Sequence, residues 1–133
     1  MSIYQSKYLL AIFNKESSLM RLSWNTSSEE LNADGVKFEM DAILKHIEKH
    51  RPLKVIADTT DFNYSVNQDM QNWIVNYFLN KVILFGVERY AIMVSSEILD
   101  EVSTEQINSD EEEDVLIKYF DDDDKAMNWV NEI

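Results

Sequence analysis

Two acids and two hydroxyls, Asp58-Thr59-Thr60-Asp61, follow directly on the apolar run Val55-Ile56-Ala57. Carboxylates so close together have two chemical uses: they can hold a hard divalent cation, or share acid and base work between differently tuned environments. Either use needs company, in the form of further oxygen ligands or a nucleophile with its base. The flanking residues supply neither. A structural role also suffices, because Asp58 can accept hydrogen bonds from loop amides and Asp61 can be solvated or form a local turn.

A receiver domain would place an acidic pair after its first strand, which here ends in Asn14. A haloacid-dehalogenase-type phosphatase would place a second Asp where Thr60 stands. Gly35 and Gly86 are isolated, so no glycine-rich turn brings backbone amides onto phosphates. His46 and His50 sit at i, i+4, a spacing that can clamp a metal. Ile47 holds the place of the usual Glu base, however, and no third ligand accompanies the pair. Such histidines are ordinary on the polar face of a helix near its C-terminus. Ser95 and Ser96 end a strand with no histidine paired to them, so they read as caps for the next turn. The run Asp110 to Asp114 lacks the alternating ligands and glycine of a calcium loop and reads as solvated. No catalytic residue, cofactor or metal is expected.

These residues are positioned by a regular alternation of elements. Tyr8 to Phe13 and Leu19 to Trp24 read as an opening hairpin across the polar turn Asn14 to Ser18. After a polar connection from Asn25 to Asp34, Val36, Met40, Ile43, Leu44 and Ile47 form one face of a helix. It should end near His50, since Pro52 disfavours helical geometry at Arg51. Leu53 to Ala57 is the third strand, and the loop from Thr59 to Asn67 leads to a second helix. Met70, Trp73, Ile74, Tyr77 and Phe78 mark one face of that helix, yet its second half is apolar nearly all round. It must bury more than one side, within the chain or against a second subunit.

Gly86 is placed for a left-handed helix end. Tyr90 to Val94 is the fourth strand, a short helix or turn spans about Glu97 to Val102, and a polar stretch runs to Asp114. Val115 to Phe120 is the fifth strand. Asp121 to Asp124 opens a last helix, with Ala126, Trp129, Val130 and Ile133 on one face and acids complementing its N-terminal dipole. Trp24, Trp73 and Trp129 are spaced as core or semi-buried residues. The expected fold is α/β: one domain over residues 1–133, with a single five-stranded mixed sheet, an N-terminal hairpin and covering helices.

The 133 residues suit one domain, and two glycines with one proline argue against turn-rich sandwiches and barrels. Absence of cysteine removes disulfides, thiolate metal sites and thiol catalysis, and fits a reducing compartment. A net charge of −13 repels phosphate backbones and anionic headgroups, so neither nucleic acid nor a membrane surface is an expected partner. Met1 to Ser6 is short and polar, Tyr8 to Phe13 is too short for a signal core, and Asn76, Asn80 and Lys81 interrupt the longest apolar stretch. A cytoplasmic location without membrane insertion is expected.

The ordered set Lys54-Val55-Ile56-Ala57-Asp58-Thr59, Gln71-Asn72-Trp73-Ile74, Arg89-Tyr90-Ala91-Ile92-Met93-Val94-Ser95 and Tyr119-Phe120-Asp121-Asp122 resembles the SpoIIAA-like group of STAS-type domains, from about Tyr8 to Ile133. The resemblance implies a non-enzymatic regulatory or protein-binding module with a fold relation to lipid-carrier domains. In the antagonist branch of that family, an Asp-Ser-Ser-Gly-type turn carries a phosphorylatable serine. Here the corresponding stretch reads Tyr64-Ser65-Val66-Asn67-Gln68-Asp69, so Ser65 lacks the flanking acid and the glycine, and the phospho-switch does not carry over.

The expected binding surface comprises Asp58, Thr59, Thr60, Asp61, Ser65, Ser95 and Ser96, offered to a protein partner. An alternative expectation is a small apolar or lipid-like ligand beneath the second helix. A further one is a homodimer through that helix.

Overall fold

The computed structural model describes residues 1–100 and 116–132. The expectations for Val102, for the polar stretch to Asp114 with its acidic run, for Val115 and for Ile133 lie outside them. Six strands form one sheet in sequence order: β1 Ser2–Gln5, β2 Leu9–Asn14, β3 Leu19–Trp24, β4 Lys54–Asp58, β5 Arg89–Met93 and β6 Ile117–Phe120. The first three pair antiparallel, and β3 through β6 pair parallel. The fold class is α/β with a mixed sheet, and the strand count is six where five were expected.

The additional strand is β1, read from sequence only as a short polar start. It lies at the sheet edge against β2, with a register shift between Ser2 and Tyr4. Its anchor is distant in sequence. Glu39, 4% exposed on the first helix, accepts hydrogen bonds from the Ser6 hydroxyl at 2.6 Å and the Tyr4 hydroxyl at 3.2 and 3.3 Å. A buried carboxylate is tolerated when donors surround it, and Tyr4 in β1, with Ser6 just after it, brings those donors.

The helix α1, Ala33–His50, starts at Asn32, whose side chain accepts from the Gly35 amide at 2.8 Å. It ends in left-handed Arg51, just before Pro52. The second helix starts under Asn67, which accepts from the Met70 amide. It comprises α2, Gln68–Trp73, a π-helical segment, Ile74–Leu79, and α3, Asn80–Leu84, joined through helical backbone without a break. Gly86 then adopts φ +96°, and its amide donates to the Ile83 carbonyl.

Right-handed crossovers between sequential parallel strands put α1 and the second helix on the same face of the sheet. Leu9, Met20, Leu22, Val55 and Ala57 from that face pack with Ile43, Ile47, Phe78 and Val82 from the helices. The last helix, α4, Asp123–Val130, covers the opposite face: Ala126, Trp129 and Val130 meet Ile56, Ala91, Met93 and Phe120. Two-residue alternation along β4 and β5 thus feeds two cores at once. No described helix is long and apolar enough to cross a membrane.

Candidate functional site

Because β4, β5 and β6 run parallel, their C-terminal ends share one edge of the sheet, the usual place for binding in open α/β folds. Asp58 ends β4, Ser95 and Ser96 follow β5, and Asp121 follows β6. Thr59 ties the edge together. Its amide donates to the Met93 carbonyl at 2.9 Å and its hydroxyl donates to the same oxygen at 2.7 Å.

The expected residues share this edge but do not form one cluster. Strand alternation turns Asp58 with Ile56 toward the α4 face, whereas Thr59 lines the opposite, cavity-bearing face. The Asp58 carboxylate accepts from the Thr60 amide at 3.0 Å, the loop role open to it from sequence. Thr60 and Asp61 are exposed, and Ser65 is exposed in the loop beyond them. The Ser95 hydroxyl accepts from the Ile98 amide at 3.3 Å and so caps a helical segment at 96–100. The Ser96 hydroxyl donates to the Asp121 carboxylate at 3.0 Å.

Sequence patterns gave no sign of Ser28. It lies in a 3₁₀ turn, Thr26–Glu30, within what reads as a polar connection, and it is fully buried. Its hydroxyl accepts from the Asn63 amide at 2.8 Å and donates to the Asp61 carbonyl at 3.3 Å. It therefore pins the middle of the 59–67 loop to the exit of β3. No local pattern announces a contact across more than thirty residues.

Behind this edge, between the sheet and the second helix, is an apolar cavity of about 430 Å³. Ala57, Tyr90, Ile92 and Tyr119 contribute from the strands, with Met40 and Ile43 from α1. Ile74, Val75, Phe78 and Leu79, all in the π-helical segment, form the roof. Thr59, Phe62, Val66 and Val94 belong both to the strand edge and to the cavity wall. Burial raises the Tyr90 phenol well above its ordinary pKa, and the neighbouring Tyr119 adds to the shift, so this wall residue stays protonated and neutral.

Among the described residues, no group of three or more His, Cys, Asp or Glu side chains is placed to hold a metal ion. His46 and His50 stack at 6.1 Å, with Tyr4 against His46 at 5.5 Å and Phe13 against His50 at 5.0 Å. The pair is thus half-buried against β1 and β2 rather than on a free polar face, a consequence of the additional strand. His46 Nδ1 finds no hydrogen-bond partner among the described residues, and burial, then the charges of His50 and Lys49, lower the pKa of the ring. Comparison with family models, with curated proteins and with solved structures finds no match.

Proposed function

We propose that this chain is a non-catalytic, cytoplasmic STAS-like module that works by binding another protein at the C-terminal edge of its parallel strands. One observation carries the reading: several strand ends deliver polar groups to one edge, and many of those groups are engaged with local backbone or with one another rather than set against a reacting atom. Asp58 holds the Thr60 amide, Thr59 holds β5, Ser95 caps a turn, and Ser96 meets Asp121. Thr60, Asp61 and Ser65 remain exposed on this ordered frame. With Asp121 and Asp122 nearby in the fold, the edge carries negative charge, which favours a basic partner surface.

Affinity capture with wild-type protein, Asp61→Ala and Ser65→Glu tests the placement. Each variant should release the same specific partner. A partner set unchanged by both substitutions would sink it.

A second copy of the chain is a further partner, favoured by the outer surface of the two long helices. Phe38 is 70% exposed, Leu84 71% and Ile83 53%. Residues 33–51 and 68–86 carry as many lysines and arginines as acids, although the chain as a whole carries −13. A two-fold interface must complement itself, and on so acidic a chain exposed apolar side chains on segments of balanced charge meet that condition. Light scattering should show a concentration-dependent dimer, abolished by Leu84→Glu; a monomer throughout would remove this reading.

A further inference from the structure

We propose that the cavity beneath the second helix is a binding site for one neutral, predominantly apolar small molecule. This goes beyond protein binding at the strand edge and does not rest on it. At about 430 Å³ the cavity holds the liquid volume of about fourteen waters, and it falls within the range of small-molecule pockets.

The lining decides the ligand's chemistry. No Asp, Glu, Lys, Arg or His is among the described residues around the cavity. A carboxylate or phosphate drawn inside would lose its hydration and meet no counter-charge among the described residues, on a chain that already carries −13. Among the described polar groups of the wall, the Thr59 hydroxyl is spent on the Met93 carbonyl, and Tyr90 keeps its proton. An uncharged ligand with few hydrogen-bonding groups fits that wall.

The roof adds an independent observation. The π-helical distortion coincides with the segment that covers the cavity, Ile74–Leu79. π-helical turns are rare and recur at functional sites, because the wider turn re-aims side chains at some cost in backbone packing. Val66 and Val75, 44% and 49% exposed, place apolar surface at the entrance.

Titration of the full chain with Nile red, followed by displacement with 1-dodecanol or dodecanoate at pH 8, tests the proposal. Nile red should saturate at one site per chain, and dodecanol should displace it about tenfold more tightly than the dodecanoate anion. Ala57→Leu and Ile92→Trp, which fill the cavity from two strands, should each weaken dodecanol about tenfold while circular dichroism is unchanged. Glu16→Lys, exposed in the β2–β3 turn away from the cavity, should leave binding as it is. The proposal is overturned if displacement does not saturate, if dodecanoate competes as well as dodecanol, if Glu16→Lys abolishes binding, or if both filled variants fold and bind as wild type does.

Discussion

Glu39→Ala should detach the first strand. The carboxylate is 4% exposed and receives two donors, the Ser6 hydroxyl at 2.6 Å and the Tyr4 hydroxyl shared between both oxygens at 3.2 and 3.3 Å. Hydrogen bonds to a charged acceptor contribute about 1.5–3 kcal/mol each, which makes the gross loss about 3–6 kcal/mol. Removing the carboxylate also relieves its desolvation, and the half-buried Tyr4 and Ser6 partly regain water. The expected net destabilisation is therefore about 2–3 kcal/mol. Glu39→Gln keeps one acceptor and should lose about 1 kcal/mol.

Urea unfolding gives the global figure, and native-state hydrogen exchange gives its location. Amides of β1 should exchange through a local opening in the alanine variant, while those of β4 keep protection set by global unfolding. A double-mutant cycle with Tyr4→Phe should return a coupling of about 1 kcal/mol. If Glu39→Ala cost under about 0.5 kcal/mol, with β1 protection unchanged, the anchoring of β1 to α1 would be refuted.

His46 titrates below its ordinary value because burial and the nearby His50 and Lys49 charges disfavour its protonated form. The unfolded chain then binds more protons than the folded one as pH falls below about 6.5, so stability is full above that pH and declines beneath it. His46→Gln should flatten the fall in urea midpoint between about pH 7 and 5; a fall unchanged by the substitution would show that other groups cause it. Gly86 adopts φ +96°, and a Cβ added there would meet nothing within 4 Å, so Gly86→Ala meets backbone strain alone. Urea unfolding should show a loss of about 1–2 kcal/mol, and less for Gly86→Asn.

The elements legible from sequence were those whose apolar spacing extends over enough residues. β3, α1, the second helix and α4 carry a period of two or 3.6, β2, β4 and β5 are continuous apolar runs, and each is bounded by a turn or cap residue. Ser2-Ile3-Tyr4-Gln5 is too short for a period to register, and its anchor on Glu39 is set by tertiary contact. That omission also misplaced His46, which reads as a polar-face residue until β1 covers it. The second helix showed its need to bury several sides, but not the π-helical turn, which no propensity marks.

The candidate site was legible in outline. Asp58, Thr59, Ser95 and Ser96 were placed at strand ends because apolar runs stop there. What alternation hides is the division it creates, with Asp58 on the α4 face and Thr59 on the cavity. Ser28 and the cavity itself arise from segments far apart in the chain.

Partner binding at the C-terminal strand edge is open to site-specific photo-crosslinking in living cells. A photoreactive residue at Thr60 is exposed on that edge, and one at Glu16 is exposed in the β2–β3 turn. A discrete crosslinked protein is expected from position 60, lost when Ser65→Glu is added, and none of the same mass from position 16. The same product from both positions, or from position 16 alone, would contradict binding at this edge.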